Sequence, residues 1–289
     1  SRICKQADQL SKLSRKPVLV HSNTKDIIDT RKQAYLPLDN FFYLSPNIRH
    51  SIAPDNYLSK PYFIPDYVEY FYAGAVQPHE WTPQPKVGFV GVAAPFGQHR
   101  PTKTWFVDWI RFFATWLNRI GIDTDRLCDQ VGTNMKHAYR TRVLWELMRS
   151  PMIDRDILFR CTSGTVDKQY WRAAMTSPYH LEYFSNLINN VYIPCCRGTE
   201  NYSIRFYEAL AFGRVPVLVN SDLRLPLSNL IDYEKHCCLI DKKDIHRVSD
   251  ILVQFHESKK SCLRELQVIN RSIWKEYLSI ESFYKFIPA

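Results

Sequence analysis

The sequence predicts an α/β protein built on a mostly parallel, doubly wound sheet, and three observations support this prediction. From residue 86 onward, short apolar runs alternate with amphipathic stretches of helical periodicity, as in strands joined by crossover helices. The 289 residues, 45% of them hydrophobic, are enough for one large or two medium domains with buried cores. The first 80 residues show similar features more weakly, which predicts a smaller α/β unit of the same general kind.

The N-terminal segment begins with one clear strand signal. Residues 17–21, Pro-Val-Leu-Val-His, predict a first strand that ends at a polar turn. The stretch 36–84 is rich in Pro and aromatic residues, typical of short strands such as 40–44 and of irregular loops. Its end, at 78–85, contains three prolines and is the best candidate for a stiff linker between two domains.

The remaining elements follow in order along the chain. Strands are predicted at 86–91, 156–161, 191–196, 215–219 and 237–240, and helices at 103–120, 134–149, 178–189, 203–212, 244–257 and 261–280. Strands that alternate with helices are expected to be parallel and to be joined by right-handed crossovers. We therefore predict one domain over 1–84 and a second over 85–262, with 263–289 as a C-terminal helix that packs back towards the first domain.

The net charge of +9 favours anionic partners, such as phosphorylated ligands, nucleic acid or acidic lipid head groups. The basic residues are spread along the chain rather than clustered, which disfavours a nucleic-acid-binding protein. No run of about 18 apolar residues is present, so we expect no membrane-spanning segment in this chain.

The 8 cysteines give the best indication of the compartment. None of the cysteines form a Cys-x-x-Cys spacing, which disfavours zinc and thiol-redox sites. Most of them lie in apolar runs, as small buried residues do, and we expect a reducing environment. The chain begins at Ser1 and shows no signal peptide. We expect a cytoplasmic protein, in a host cell if the chain is viral, or else a Golgi-lumenal one whose anchor lies outside this chain.

The stretch 197–222 carries the strongest functional signal. In open parallel sheets, ligands bind beyond the carboxyl ends of the strands, and the predicted strand 191–196 ends here. The helix that follows begins with Ser203 and Arg205, and a helix N-terminus and a guanidinium group both bind phosphate oxygens well. Gly198 lets a ligand approach the backbone, and Glu208 could accept hydrogen bonds from sugar hydroxyls. A nucleotide diphosphate would satisfy all of these groups together.

Each of these residues also has a purely structural interpretation. Ser203 could be a simple helix cap, and Arg205 and Glu208, three residues apart, could form a surface ion pair. Singly, each residue favours the structural interpretation. Their combination at the junction of a strand, a loop and a helix favours a nucleotide site.

The same stretch resembles the exostosin-like glycosyltransferases of family 47, in particular their short microbial or viral members. The resemblance rests on Arg-Gly-Thr-Glu-Asn-Tyr-Ser-Ile-Arg-Phe-Tyr-Glu-Ala-Leu at 197–210, on Gly-Arg-Val-Pro-Val at 213–217 and on Asn-Ser-Asp at 220–222. Weaker matches flank it, at 87–91 with Arg100, 142–144, 225–227 and 231–233. The resemblance covers about residues 86–245 and leaves the first 80 residues without a counterpart.

This resemblance implies a GT-B fold, two Rossmann-like domains facing a cleft, with the nucleotide-sugar held mainly by the second domain. It implies an inverting, metal-independent transfer from a UDP-sugar to a hydroxyl of an oligosaccharide or glycoprotein glycan. The expected product is a β-linkage, and no cofactor is expected. Among the donors that the family uses, UDP-xylose is our hypothesis for so small a member.

The resemblance also assigns roles to individual residues. Glu200 and Glu208 have the spacing of the glutamate pair of many GT-B enzymes, in which the second glutamate holds the ribose. Arg205, the amides of 201–203 and either Arg100 or Arg197 would relieve the charge of the departing diphosphate. The full predicted donor-binding set is Arg100, Arg197, Gly198, Glu200, Asn201, Tyr202, Ser203, Arg205 and Glu208.

The catalytic base is the least determined of the roles. Asp222 lies just beyond a predicted strand and is our first candidate. His99 and His21 also follow strand-like runs and titrate near neutral pH, so both remain candidates.

Three other interpretations of function remain open at this point. The chain could be a retaining GT-B transferase, a basic nucleic-acid-binding protein or a non-catalytic glycan-binding relative. Asp-x-Asp trios occur at 123–125 and 154–156, with the spacing that GT-A transferases use for Mn²⁺. The first trio follows a predicted helix and the second precedes a predicted strand, so we expect both to be caps or turn formers rather than metal ligands.

Overall fold

The computed structural model describes residues 9, 12, 18–21, 28–29, 34–35, 41–48, 50, 53, 55–92, 138–160, 178–197, 201–220 and 222–287. The predicted helix at 103–120 lies outside these residues. The helix predicted at 134–149 is described from residue 138 onward.

Between residues 57 and 258 the described strands and helices alternate along the chain. The strands are β1 (Val18–His21), β2 (Ile28–Asp29), β3 (Ala34–Tyr35), β4 (Phe41–Ser45), β5 (Tyr57–Ser59), β6 (Lys86–Val92), β7 (Asp154–Arg160), β8 (Tyr192–Cys195), β9 (Val215–Asn220) and β10 (Cys238–Asp241). The α-helices are α1 (Tyr67–Tyr72), α2 (Ala138–Arg149), α3 (Pro178–Asn189), α4 (Ile204–Ala211), α5 (Tyr233–His236), α6 (Val248–Ser258), α7 (Leu263–Ile273) and α8 (Ile280–Phe283). A 3₁₀ turn over Lys242–Arg247 leads into α6, and a π-helical turn over Trp274–Leu278 follows α7.

The larger sheet is parallel, in the order β10-β9-β8-β6-β7. Numbered from its own first strand, this is the flavodoxin-like order 2-1-3-4-5, which reverses direction between β6 and β8. The predictions of a parallel sheet and of its five strands are confirmed. Ligands of such sheets bind beyond the carboxyl ends of the strands at the point of reversal, so this topology marks the β6–β8 edge as the place to look for a site.

The N-terminal segment forms a smaller parallel sheet in the order β1-β4-β5, with β2 and β3 paired as a separate antiparallel hairpin. The predicted strands at 17–21 and 40–44 are therefore confirmed. The carboxyl ends of β4 and β5 lead to Asn47 and Lys60, two side chains that are almost fully buried.

The larger sheet is covered on both faces because its inner strands are apolar on both sides. Residues 215–219 are all buried, and they alternate between two hydrophobic clusters as strand geometry requires. Leu218 packs with residues of α3 and α4, whereas Val217 and Val219 pack with residues of α2 and α6.

The prediction for the second Asp-x-Asp trio is wrong in its structural part. Asp154 and Asp156 are the first and third residues of β7 rather than turn formers before it. The Asp156 carboxylate accepts hydrogen bonds from the side-chain amides of Asn186 and Asn190, at 2.7 and 2.9 Å. The Asp156 carboxylate therefore links β7 to α3 and to the residue that follows it.

Arg214 connects three segments that are distant in sequence. The side chain is 1% exposed. It donates hydrogen bonds to the Leu187 carbonyl at 3.1 Å, to Gln267 Oε1 at 2.9 Å and to the Gln77 carbonyl at 3.2 Å. Burial lowers the pKa of Arg214 to about 10. Arg214, which belongs to the Gly-Arg-Val-Pro-Val motif, therefore joins α3, α7 and the segment before β6.

Gly213 ends α4 in the left-handed region, with φ of 65°. A Cβ at this position would lie 2.8 Å from the backbone oxygen of Gln267. We expect Gly213→Ala to lower the free energy of unfolding by about 2 kcal/mol or more, because a left-handed alanine alone costs about 1–2 kcal/mol. Urea unfolding monitored by circular dichroism measures this change.

Gly74→Ala is the matched control for this prediction. Gly74 has φ of 77°, but a Cβ there would meet only the carboxylate end of the flexible Glu69 side chain, at 2.8 Å. It therefore tests the backbone conformation without the contact to Gln267. An equal or larger loss in Gly74→Ala would contradict the steric part of the prediction.

Among the residues that the structure describes, no helix combines the length and the apolar character that crossing a membrane requires.

Candidate functional site

Both sheets direct the carboxyl ends of their strands towards the loop after β8. The Asn201 N–H donates a hydrogen bond to Asn47 Oδ1 at 3.0 Å, and Tyr202 stacks on Tyr62 with ring centroids 5.5 Å apart. The His50 N–H donates to the Asp222 carbonyl, beyond β9, at 2.9 Å. Two α/β units therefore face each other across the loops where ligands of parallel sheets bind. The prediction of an α/β, GT-B arrangement is confirmed.

Ser203 can be tested against the two interpretations given above, a simple helix cap or part of a nucleotide site. It occupies the N-cap position of α4 with extended φ and ψ of −122° and 119°, but its hydroxyl makes no capping hydrogen bond. The side chain is 8% exposed. The structure thus gives Ser203 the position of a cap without the bond that defines one, and the start of the helix keeps amides available for an anion.

Asn201 lies just before this helix and is 7% exposed. Neither its side-chain nitrogen nor its side-chain oxygen has a hydrogen-bond partner among the described residues. A buried amide without partners is costly, so this side chain is suited to a polar ligand. The main-chain amide of Asn201 is different, because Asn47 already accepts its hydrogen bond. The prediction that the amides of 201–203 are all open to phosphate is therefore wrong for residue 201.

Arg205 lies at the carboxyl end of β6, at the reversal of strand order. Its Nη2 donates to the Val90 carbonyl at 2.7 Å, and its guanidinium carbon lies 4.1 Å from the centroid of the Phe89 ring. Gly91 makes room for it, because a Cβ there would lie 2.9 Å from Nη2. The Nε donor is buried and has no partner within the described part of the chain. Arg205 is thus partly engaged with the protein and retains one donor.

Glu208 lies beside Arg205 and receives a hydrogen bond from the hydroxyl of Tyr183. Burial raises the pKa of Glu208, while this hydrogen bond and the Arg205 guanidinium oppose the rise. Burial would lower the pKa of Arg205, but Tyr183 and Glu208 beside it more than compensate, so the pKa is raised. The surface ion pair considered from the sequence is replaced by a partly buried group of three side chains.

Arg140 is a residue that the sequence did not single out. It lies in the first turn of α2 and is partly buried. Burial lowers the pKa of Arg140, and the Arg205 guanidinium lowers it further. Two guanidinium groups therefore act on each other at this edge, an arrangement that favours an anion between them. Only the three-dimensional proximity of α2 to α4 brings them together, so no sequence spacing signals the pair.

The other predicted site residues divide into two groups. His99, Arg100, Gly198 and Glu200 lie outside the described residues, and their roles stay predictions. Arg197 follows β8 and is partly buried, and Tyr202 is held by its stacking on Tyr62.

The two candidate bases that the structure describes, Asp222 and His21, lie at the ends of strands in different sheets. Asp222 adopts the left-handed region with φ of 64°, and its N–H donates to Asn220 Oδ1 at 3.0 Å. Such a conformation is tolerated by Asp and is often found at functional sites. His21 ends β1, and burial together with the nearby Lys60 lowers its pKa. The structure does not bring His21 and Asp222 together, and the choice of base stays a prediction.

Lys60 is a second residue that sequence reasoning missed. It is 1% exposed, its N–H donates to the Ser45 carbonyl at 3.1 Å, and its Nζ lies 4.9 Å from the centroid of the Phe63 ring. Burial lowers its pKa to about 8. A single lysine in an aromatic-rich segment belongs to no periodic pattern or motif. Only its burial in the structure draws attention to Lys60.

Comparison with known proteins shows which family the segment that carries the candidate site is similar to. Residues 128–255, which include the α2, β8, α4 and β9 elements of the site, match the exostosin GT47 domain. This segment of the chain is similar to the exostosin-like glycosyltransferases of family 47. The resemblance found at 197–222 lies within the matched segment, so the family prediction is confirmed.

Curated relatives of this exostosin-like chain include two plant proteins. A probable glucuronosyltransferase of Oryza sativa subsp. japonica is 30% identical over 70 residues, which are 24% of this chain and 16% of the relative. A probable beta-1,4-xylosyltransferase of Arabidopsis thaliana is also 30% identical over 70 residues, 24% of this chain and 17% of the relative. The exostosin-like chain thus matches less than a fifth of the length of either protein.

Among solved structures, the exostosin-like chain is similar to the one described as the crystal structure of TarM. The TM-score is 0.41 at 15% sequence identity, and the match covers 98% of this chain and 44% of TarM.

Proposed function

We propose that this protein is an inverting glycosyltransferase that moves a sugar from a UDP-sugar to a hydroxyl group of a glycan, forming a β-linkage without a metal ion. The observation that carries the proposal is the start of α4 at the reversal of strand order, where Ser203 makes no capping hydrogen bond. Beside it, the side-chain amide of Asn201 and the Nε donor of Arg205 have no hydrogen-bond partner among the described residues. The match of residues 128–255 to the exostosin GT47 domain supports the same reaction class.

The diphosphate of the donor would bind at the start of α4. Anions favour a helix N-terminus because the first amides have no partner within the helix and carry a partial positive charge. Arg205 supplies a guanidinium donor, and Arg140 adds a second positive charge nearby. These groups can bind the diphosphate and stabilise the charge that develops on it.

In the transfer itself, the oxygen of the acceptor hydroxyl attacks the anomeric carbon from the side opposite the diphosphate. The bond between that carbon and the diphosphate oxygen breaks, and its electron pair leaves with UDP. The hydroxyl proton passes to a base, for which Asp222 is our first candidate and His99 and His21 are the alternatives. Guanidinium and amide donors take the place of a metal ion in this scheme.

The acceptor would enter from the side of the smaller sheet, since that unit faces the donor loop. For the donor we propose UDP-xylose. The plant relatives are named for glucuronosyl and xylosyl transfer, which keeps UDP-glucuronate as the nearest alternative.

Thermal unfolding with a panel of nucleotides tests the proposal. UDP at about 100 times its Kd stabilises a folded protein by about 2.7 kcal/mol, so we expect the Tm to rise by about 5 °C or more. UDP-sugars of the correct type should stabilise at least as much as UDP, and ADP should stabilise less. The absence of any shift with UDP and all UDP-sugars at millimolar concentration would overturn the proposal.

Product analysis then distinguishes the mechanism from its alternative. The anomeric configuration of the product, measured by NMR, is expected to be β. An α-product from an α-linked donor would show a retaining transferase.

A further inference from the structure

Helix α3 presents one side chain to the site that the sequence motif does not include. Tyr183 donates its hydroxyl proton to Glu208 Oε2, and its ring lies 5.5 Å from the Arg205 guanidinium carbon. The residue is therefore in contact with both members of the predicted donor-binding pair.

The position of Tyr183 is fixed by the helix that carries it. Asn186 lies three residues further along on the same face, and Asn190 directly follows the end of the helix. Asn186 Nδ2 donates to the Asp156 carbonyl at 2.8 Å, and both asparagines donate to the Asp156 carboxylate. Gly88 on β6 leaves space for this contact, since a Cβ there would lie 2.6 Å from Asn190 Nδ2. Helix α3 is thus fastened to the sheet on the face that presents Tyr183.

The hydrogen bond from the Tyr183 hydroxyl determines which other groups the Glu208 carboxylate can contact. Glu208 and Arg205 are three residues apart on one helix, a spacing at which carboxylate and guanidinium groups normally pair directly. Here the Arg205 Nη2 is directed to the Val90 carbonyl, and Tyr183 occupies one carboxylate oxygen of Glu208. The buried Nε of Arg205 has no hydrogen-bond partner among the described residues, and the Tyr183 hydroxyl also interacts with the Arg205 side chain.

We propose that Tyr183 is a positioning residue that keeps Glu208 and Arg205 apart, so that the carboxylate is available to the ribose hydroxyls and the guanidinium to the diphosphate of a nucleotide. The inference rests on the proposed function. Without the hydroxyl, the Glu208 carboxylate loses its neutral donor, and the nearest replacement is the Arg205 guanidinium. Formation of that ion pair removes a ribose ligand and neutralises a phosphate ligand at once.

The test is the affinity of the full chain for UDP, measured by calorimetry with wild type and Tyr183→Phe. We expect the substitution to weaken UDP binding about 10-fold, since a lost hydrogen bond to a charged group has an effect of this order. Tyr192→Phe is the matched control. Tyr192 is also buried, and its hydroxyl bonds to His256 Nδ1 at 2.9 Å. We expect Tyr192→Phe to lower stability and to leave UDP affinity unchanged.

Glu208→Gln completes a double-mutant cycle. If Tyr183 acts through the carboxylate, Tyr183→Phe should have little further effect in the Glu208→Gln background. Additive losses would instead show that Tyr183 supports the fold or binds UDP independently, and would overturn the inference. Tyr183→Met removes the same hydroxyl from a side chain of similar length, and it replaces the phenylalanine variant if that variant does not fold.

The outcomes separate this inference from the function on which it rests. If wild type does not bind UDP, the proposed function fails. If wild type binds UDP and Tyr183→Phe binds it equally well, the proposed function stands and the role of Tyr183 is overturned.

Discussion

Arg205→Lys is expected to lower kcat/KM for glycosyl transfer at least about 100-fold, the effect typical of losing one donor that stabilises developing negative charge. A lysine keeps the positive charge but cannot stack flat on Phe89, donate to the Val90 carbonyl and still direct a second donor at a ligand. Steady-state kinetics with the donor identified by the thermal screen measure the change.

The fold should survive this substitution, because a cation remains beside Glu208. Arg264→Lys is the matched control, since Arg264 is an exposed arginine whose ion pair within the described part of the chain is with Glu80, and we expect its kinetics to equal those of wild type. Gly91→Ala should act in the same direction as Arg205→Lys, because its methyl group would occupy the space of the Arg205 Nη2. Near-normal transfer by Arg205→Lys would remove Arg205 from the site.

Arg214→Met is expected to give a large loss of stability, about 3 kcal/mol. Methionine fills a similar volume but removes the donor of the Leu187 and Gln77 carbonyls and one of the two donors of Gln267 Oε1, which also accepts from the His79 N–H. Each unsatisfied acceptor costs about 1 kcal/mol or more. Urea unfolding of the folded variant measures the loss, and the slope with urea should stay unchanged.

The opposite result has a clear physical meaning. The guanidinium of Arg214 carries a desolvation cost, visible in its lowered pKa. If Arg214→Met is as stable as wild type, that cost equals the gain from the three hydrogen bonds, as happens when some buried ionic groups are replaced by apolar ones. Arg264→Met, on the surface, should change stability by less than about 0.5 kcal/mol and serves as control.

The elements of the larger sheet could be predicted because periodicity and breakers agree there. Helix 178–189 and strand 215–219 were predicted within a residue of their ends, since each is bounded by a Pro or by polar residues. The predicted single helix at 261–280 was less accurate, because the π-helical turn at Trp274–Leu278 interrupts it. That turn depends on the packing of Trp274 and Leu278, which sequence periodicity does not reveal.

The sequence indicates where the candidate site lies, but it does not reveal the contacts within that site. Ser203, Arg205 and Glu208 signal their edge of the sheet because they follow one strand in immediate succession. Tyr183 is 25 residues away from Glu208 and belongs to a different helix, and Asn47 is 154 residues away from Asn201. Contacts of this kind arise only when the sheet order is known, and that order depends on pairing between strands that are distant in the chain.

The Asn201 N–H donates its hydrogen bond to Asn47, a residue of the smaller unit. Asn47 therefore competes with any ligand for this N–H group. Asn47 is itself oriented by its N–H, which donates to Ser45 Oγ at 3.2 Å. An anion that binds the main-chain N–H of Asn201 has to displace the Asn47 side chain. Anion binding at this loop and separation of the two units are therefore linked in one thermodynamic cycle. By reciprocity, any event that draws the units apart strengthens anion binding by the same factor by which the anion promotes their separation.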